Sequence, residues 1–415
     1  MNKMSLFLYS LIIRIYYILI LIASLFHWKA KKWINGRRHW QQKLRTNLSE
    51  ELPKIWICCP SIGEFQECKT FVKRISEYKK DHQIIVTFHS PSGFDHAKIP
   101  GENSIRLMLP IDTKKNARTF LNIVNPAEMY ILSTGVWPNY INELQKRKIP
   151  HYIVSFYGRE DSAFFNPRLK FFYEPLFTSF EKIFCYNEKC QNLLKKNFNF
   201  ERVEVVGNLR YDCVIDMKKN IRQINGIKEF VDGKFCIVAG STEKKEDELL
   251  AKAFKTLSHL EIKWIIVPHE KLPRSLDKLQ KMFGNEMCFY SNNIHNHKKV
   301  LVSDIWVDLF QLYNYANICL VGRGFDKLEI HNMLEPAVFF KPVLIGPKHK
   351  KFVEPKIFIE KKLAFEFNNE EELASLIYKF YTGDLKVDRN AINEMFEQNS
   401  KGTEIVMNSL INAHS

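Results

Sequence analysis

From about residue 54 onward, short runs of β-branched and aromatic residues alternate with stretches whose apolar positions recur every three to four residues. Ile55–Cys59, Gln83–Phe88, Met129–Leu132, Tyr152–Ser155, Ile183–Cys185 and Val203–Val206 read as strands, and the stretches between them as helices. A looser polar stretch at about 214–232 precedes a second series: Phe235–Ala239, Trp264–Val267, Ile318–Val321 and Pro342–Ile345. Strands that alternate with helices build parallel sheets through right-handed crossovers. The expected fold class is therefore α/β, with two Rossmann-like domains at 29–215 and 216–415 facing across a cleft. Ligands of such sheets lie outside the carboxyl ends of the strands, so the loops directly after strands carry the candidate chemistry.

The N-terminus follows another pattern. Leu6 to Phe26 is almost continuously apolar, and as a helix it rises about 31 Å, roughly one bilayer core. Arg14 near its middle costs about 2.5–3.5 kcal/mol at a bilayer centre. The segment either spans with Arg14 snorkelling or lies in the interface. A signal peptide is disfavoured because no small-residue cleavage site follows. Lys29, Lys31, Lys32, Arg37 and Arg38 come next, interleaved with Trp28, Trp33 and Trp40. This is a positive-inside flank with interfacial aromatics, so residues 1–28 read as a membrane anchor with the rest in the cytoplasm. A lipid substrate is expected.

Composition adds two constraints. The net charge of +15 calls for an anionic partner, but the basic residues are spread along the chain without a nucleic-acid module, so no nucleic acid is expected. Anionic lipid, or a phosphate- or carboxylate-bearing substrate, remains. The nine cysteines form no CxxC pair and fall mostly in apolar runs, which reads as free thiols in a reducing compartment and no zinc site.

Three post-strand loops stand out. Ser61-Ile62-Gly63-Glu64 follows the first strand; Glu64 has capping-box spacing from Ser61 and equally the position of a general base. Gly240-Ser241-Thr242 precedes a helix whose N-terminus suits a phosphate, although Ser and Thr are also ordinary caps. The third is Val321-Gly322-Arg323-Gly324 followed by His331-Asn332-Met333-Leu334-Glu335-Pro336. There a carboxylate after a glycine-rich loop suits the diol of a ribose, since it accepts two hydroxyl donors at once. Helix capping by Asn332 and Glu335 is the competing reading.

In order along nearly the whole chain, these pieces resemble the Kdo transferase family (glycosyltransferase family 30). The resemblance rests on the basic, Trp-rich flank, Ser61-Ile62-Gly63-Glu64-Phe65, Trp137-Pro138-Asn139, the run 207–212, Ala239-Gly240-Ser241-Thr242, Val267-Pro268-His269-Glu270, the run 331–336 and the run 341–347. It implies a GT-B fold, no cofactor, no metal, and inverting transfer of 3-deoxy-D-manno-octulosonic acid (Kdo) from CMP-Kdo to a lipid A precursor. Glu64 falls on the family's catalytic base, with Ser61 and Gly63 on the acceptor side. Ser241, Pro268, His269, Asn332, Met333, Leu334 and Glu335 fall on the donor side, and Trp306, Val307 and Asp308 match a further donor stretch only in spacing. The implied location is the cytoplasmic face of the inner membrane.

The chain departs from the family in three places. An arginine usual near position 268 is replaced by Pro268-His269-Glu270, leaving Arg323, Lys348 or Arg210 as substitutes for the charge on the donor phosphate. Ser133-Thr134-Gly135-Val136 stands where the family carries a glutamate, and Trp306-Val307-Asp308 replaces a Met-Gly-Glu-like run. Rival readings are a GT-B enzyme using another sugar nucleotide and membrane lipid, and a non-catalytic membrane-surface binding protein.

Overall fold

The structure, a computed structural model, describes residues 3–292, 294–326, 330–350 and 353–414, which include all the candidate site residues. The chain divides into two units, Met1–Cys213 with Asn399–Ser415, and Val214–Gln398. In the first, β1 (Lys54–Cys59), β2 (Gln83–Phe88), β3 (Ser104–Met108), β4 (Glu128–Leu132), β5 (His151–Phe156), β6 (Lys182–Cys185) and β7 (Val203–Val205) form one sheet, ordered β3-β2-β1-β4-β5-β6-β7. In the second, β8 (Phe235–Thr242), β9 (Ile262–Pro268), β10 (Met287–Phe289), β11 (Val300–Val302), β12 (Ile318–Val321), β13 (Val343–Ile345) and β14 (Ala364–Glu366) run β10-β11-β9-β8-β12-β13-β14. The pairings in both sheets are parallel. This is a two-domain, GT-B-like α/β fold.

The strands are apolar along their length because helices cover both faces of each sheet. Trp56, Phe120, Tyr140 and Phe177 fill one side of the first sheet; Phe65, Phe71, Phe88 and Tyr130 fill the other. All nine cysteines are buried, unbridged thiols. In both sheets the chain first builds one side of a central strand, with β10 at the edge and β11 returning beside β9 in the second sheet, and then restarts on its other side. The two switch points therefore lie between β1 and β4 and between β8 and β12.

The last helix, Gly402–His414, belongs to the first unit, whereas the sequence reading placed everything after 216 in the second. Its Val406, Met407 and Leu410 pack in the core of the first sheet. Asp212 accepts the backbone N–H groups of Lys401 and Thr403, each at 2.7 Å. No local pattern distinguishes an apolar helix face that docks on its own domain from one that docks on an earlier one.

The apolar N-terminus forms α1 (Lys3–Ala23), long and apolar enough to cross a membrane. It is not a bare spanning rod. The Tyr9 hydroxyl donates to Asp112 at 2.8 Å, the Ser10 hydroxyl donates to Asn139 at 3.2 Å, and Tyr16 and Tyr17 pack on Trp33. Phe7, Leu8, Leu11, Ile15, Ile18 and Ile22 stay exposed on the other side. Asp112 also accepts the backbone N–H groups of Asn139 and Tyr140, the open donors of the helix Pro138–Lys146. The Trp137-Pro138-Asn139 motif thus ties α1 to the sheet.

Next come α2 (Trp28–Arg37) and α3 (Trp40–Asn47). They correct the reading of the basic flank as wholly membrane-facing: Trp33 and Arg37 are buried and Trp40 packs against the core, while Trp28 is 65% exposed. The Arg37 guanidinium donates to the carbonyls of Leu109, Trp33 and His89 at 2.7–3.0 Å and stacks on the Trp33 ring. Burial lowers its pKa to about 9. Arg37→Met leaves these carbonyls without their donor, so the first unit should lose about 2–4 kcal/mol of unfolding free energy, measured by denaturant titration. An arginine that served only the membrane surface would show no loss.

Candidate functional site

In the first unit, the loop after β1 leads into α4 (Ile62–Glu67). The Gly63 N–H donates to the Ser61 hydroxyl at 3.2 Å, and that hydroxyl in turn donates to the Glu64 carboxylate. Ser61 is therefore the cap, and Glu64 is held by the capping hydroxyl. Its carboxylate is half-buried at the switch point, where Gly135, after β4, packs on Pro60. A Cβ on Gly135 would come within 2.6 Å of the Pro60 ring, which explains the glycine in the Ser133-Thr134-Gly135 loop.

The neighbouring carboxylate, Glu67, has a different role. It is buried, accepts the Ser155 hydroxyl at 2.6 Å and pairs with Arg210 at 3.2 Å. Arg210 is thereby committed to the first unit and is not the missing donor-phosphate cation. Next to this site, α5 (Lys69–Tyr78) and α6 (Pro91–His96) flank β2. His89, between β2 and α6, packs between the Trp33 and Trp137 rings, and burial beside Arg37 lowers its pKa to about 4.

In the second unit the predicted residues gather at the carboxyl ends of β8, β9 and β12. The His269 N–H donates to the Thr242 carbonyl at 2.9 Å, and the His331 N–H to the Gly322 carbonyl at 3.3 Å. Their rings lie 4.9 Å apart. Arg323 joins them with its side chain 14% exposed. The cluster is electropositive: burial first, then Arg323, lowers the His269 pKa, and burial, His269 and Arg323 lower that of His331 to about 3. The Arg323 Nε and the His331 Nε2 are buried without a hydrogen-bond partner among the described residues. A buried guanidinium N–H without a partner is costly, so the Arg323 Nε suits an anion. Asp326 is the acidic group near Arg323, at 3.8 Å.

Backbone strain marks the same places. Ser133, Ser155, Ser241 and Arg323 all have positive φ without being glycine, and they sit at the carboxyl ends of β4, β5, β8 and β12. Gly322 makes the approach possible, since a Cβ there would fall 2.2 Å from the Ser241 carbonyl oxygen.

Several expectations change here. The helix after Ser241, Lys244–Thr256, carries its own capping box of Glu243 and Glu246, which occupies the N–H groups of Glu243 and Glu246. Glu246 also accepts the Phe325 N–H. Met333 and Leu334 bury their side chains in the core and offer a ligand only backbone groups, and Pro268 is likewise buried. Asn332 donates to Glu335 at 3.2 Å and accepts the Leu334 N–H at 3.1 Å, at the start of the one-turn helix Leu334–Ala337. The Glu335 charge reaches the Tyr313 hydroxyl, which lies against Gly240 at the end of β8. Lys348 donates to the Phe325 carbonyl at 2.8 Å. Trp306 is 79% exposed in the loop after β11, with Val307 and Asp308 half-buried beside it and Asp308 at the N-cap of the helix Leu309–Tyr313. Among the described residues no group of three His, Cys, Asp or Glu side chains is placed to hold a metal ion.

Comparisons with known proteins bear on the family and the fold. A family model described as 3-deoxy-D-manno-octulosonic-acid transferase (kdotransferase) matches residues 36–213. The 3-deoxy-D-manno-octulosonic acid transferase of Aquifex aeolicus is 29% identical over 326 residues, covering 77% of this chain and 84% of that protein. The Haemophilus influenzae protein of the same name is 26% identical, covering 73% of this chain and 72% of that one. A bifunctional glycosyltransferase/methyltransferase of Fusobacterium nucleatum is 27% identical over 89% of this chain, which spans 61% of that longer protein. Among solved structures, a UDP-N-acetylglucosamine 2-epimerase superposes with a TM-score of 0.59 at 14% identity, covering 88% of this chain and 96% of that one. A Rickettsia africae glycosyltransferase does so with 0.54 at 13%, covering 88% and 98%. At these identities the structures show the fold alone.

Proposed function

We propose that the chain is a glycosyltransferase of the Kdo transferase family and that it moves Kdo from CMP-Kdo to a lipid A precursor (lipid IVA-like), in lipopolysaccharide core biosynthesis. The supporting observation is the cluster of Arg323, His269 and His331 at the switch point of the second unit, in which the Arg323 Nε is buried without a hydrogen-bond partner among the described residues. The donor's phosphodiester is such an anion.

An acceptor hydroxyl attacks the anomeric carbon from the face opposite CMP, and the bond from that carbon to the phosphate oxygen breaks as the configuration inverts. Glu64 takes the hydroxyl proton, and CMP leaves with the electron pair of the broken bond. Arg323 and the two histidines stabilise the charge that develops on the phosphate. Glu335, with Asn332 bonded to it, accepts from the ribose diol. Trp306 offers the cytosine an exposed ring to stack on. The exposed face of α1 holds the protein on the cytoplasmic side of the inner membrane, where anionic lipids and the acceptor meet it.

A donor panel tests the assignment. CMP-Kdo or CMP should raise the melting temperature, by about 2.7 kcal/mol of stabilisation at a hundredfold excess over Kd, while UDP-GlcNAc and GDP-mannose should not. Stabilisation by a uridine or guanosine donor instead overturns the assignment.

The histidines also set a pH dependence. Both are held neutral in the free protein, with pKa values below the ordinary value. A bound anion favours their charged forms, so binding takes up protons and affinity falls as pH rises through the pKa of the bound state. For the methyl ester of CMP, whose single phosphate charge does not titrate in this range, affinity should rise as pH falls from the bound-state pKa toward the free-state value, about 3 for His331, by up to about tenfold per pH unit for each proton taken up. Calorimetry in buffers of different ionisation enthalpy reads the uptake directly. A flat profile with no uptake removes the histidines from the anion site.

A further inference from the structure

Two contiguous cavities of about 430 and 540 Å³ lie between α1, α2 and α6, sharing Trp28, Lys32, Pro91 and Asp95. Their size suits a small-molecule ligand or one chain of a lipid. The lining is chiefly apolar, from Ile20, Trp28, Ala30, Pro91, Phe94 and Met108. Ile20 makes the wall continuous with the exposed apolar face of α1. At the rim stand Lys31, exposed, and Lys32, which pairs with Asp95. The inner wall is built on the loop that carries the candidate base: the Ser90 N–H donates to the Pro60 carbonyl at 3.0 Å and the His89 N–H to the Cys59 carbonyl at 3.2 Å. An apolar slot that opens beside a membrane-facing helix, has a cationic rim and abuts the Glu64 loop suits one kind of occupant.

We infer that this cavity holds an acyl chain of the phosphorylated lipid acceptor, with the acceptor's phosphate at Lys31. The assignment rests on the lipid-acceptor reading above and locates where that substrate is gripped. The sugar head group then lies outside the cavity, on the side of the Glu64 loop, and the chain need not leave the apolar phase entirely. Acceptors with shortened chains should therefore lose affinity, not the rate of the chemical step.

The test uses the full chain in phosphatidylcholine vesicles with a phosphatidic acid carrying a photoactivatable diazirine in its acyl chain. Mass mapping should find label on residues 20–36 and 90–108, and a tetraacyl disaccharide bisphosphate should displace it at lower concentration than phosphatidylglycerol does. Ala30→Trp, which fills the cavity, should remove this label while that on the outer face of α1 remains. Lys31→Glu, a surface change that cannot unfold the protein, should weaken it about fivefold, the worth of one basic residue at an anionic surface. Label confined to the outer face of α1, label unaffected by Ala30→Trp in a protein of unchanged melting temperature, or equal displacement by both lipids overturns the inference. Labelling does not depend on turnover. A labelled cavity without Kdo transfer therefore counts against the proposed function, and transfer without a labelled cavity counts against this inference.

Discussion

Glu64→Ala and Glu64→Gln are expected to lower turnover with CMP-Kdo and a tetraacyl acceptor about 10²–10⁴-fold, the usual worth of a positioned general base, or about 2.7–5.5 kcal/mol of barrier. CMP affinity and melting temperature should stay near their original values, because the Ser61 hydroxyl, not the Glu64 carboxylate, accepts a backbone N–H of the helix, and the carboxylate accepts from that hydroxyl. The contrast with Glu243 and Glu246 is informative, since that pair closes its helix with a full capping box. A residue whose work is capping costs stability when removed; a base costs rate. Turnover unchanged in Glu64→Ala, or a loss that follows unfolding alone, removes the base assignment.

The second large effect is expected at Arg323. Its guanidinium is buried beside two neutral histidines, with its Nε unbonded. A charge-assisted hydrogen bond to a phosphate contributes about 1.5–3 kcal/mol, so Arg323→Ala should weaken CMP binding about 10–150-fold. Arg323→Lys should recover only part of this, because a lysine keeps the charge and loses the planar fork. A second readout separates this role from a merely structural one. With Arg323 gone, one cause of the lowered His331 pKa disappears, and its NMR titration should move upward. Unchanged CMP affinity in Arg323→Ala places the donor phosphate elsewhere.

The sequence made the central strands legible for a physical reason. Strands such as β2 and β12 are buried on both faces, so their residues are mostly or wholly apolar and the run stands out. β10, β11 and β14 have three residues each, too few to form a pattern, and β3 carries the exposed Arg106 within its run. The loops at the switch points were found because the fold places chemistry after strands; spacing singled out Glu64 and Glu335, and the family resemblance implied His269. Spacing did not decide what each does. Met333 and Leu334 occupy the motif yet point into the core, and His331, read as part of the motif and not as a site residue, contributes a ring to the cluster. Arg37 was hidden in a basic run, where composition gives no sign of which cation turns inward. Asp112 was hidden because its partners, Tyr9, Asn139 and Tyr140, are up to 103 residues away.

The most direct test is transfer itself: the purified full chain in lipid or detergent, given CMP-Kdo and a tetraacyl disaccharide precursor, with products weighed by mass spectrometry. The expected result is acceptor heavier by one or more Kdo residues, CMP released in equal number, and inverted configuration at the new linkage. Unmodified acceptor from a folded protein that binds CMP, or modification only with a different sugar nucleotide, contradicts it.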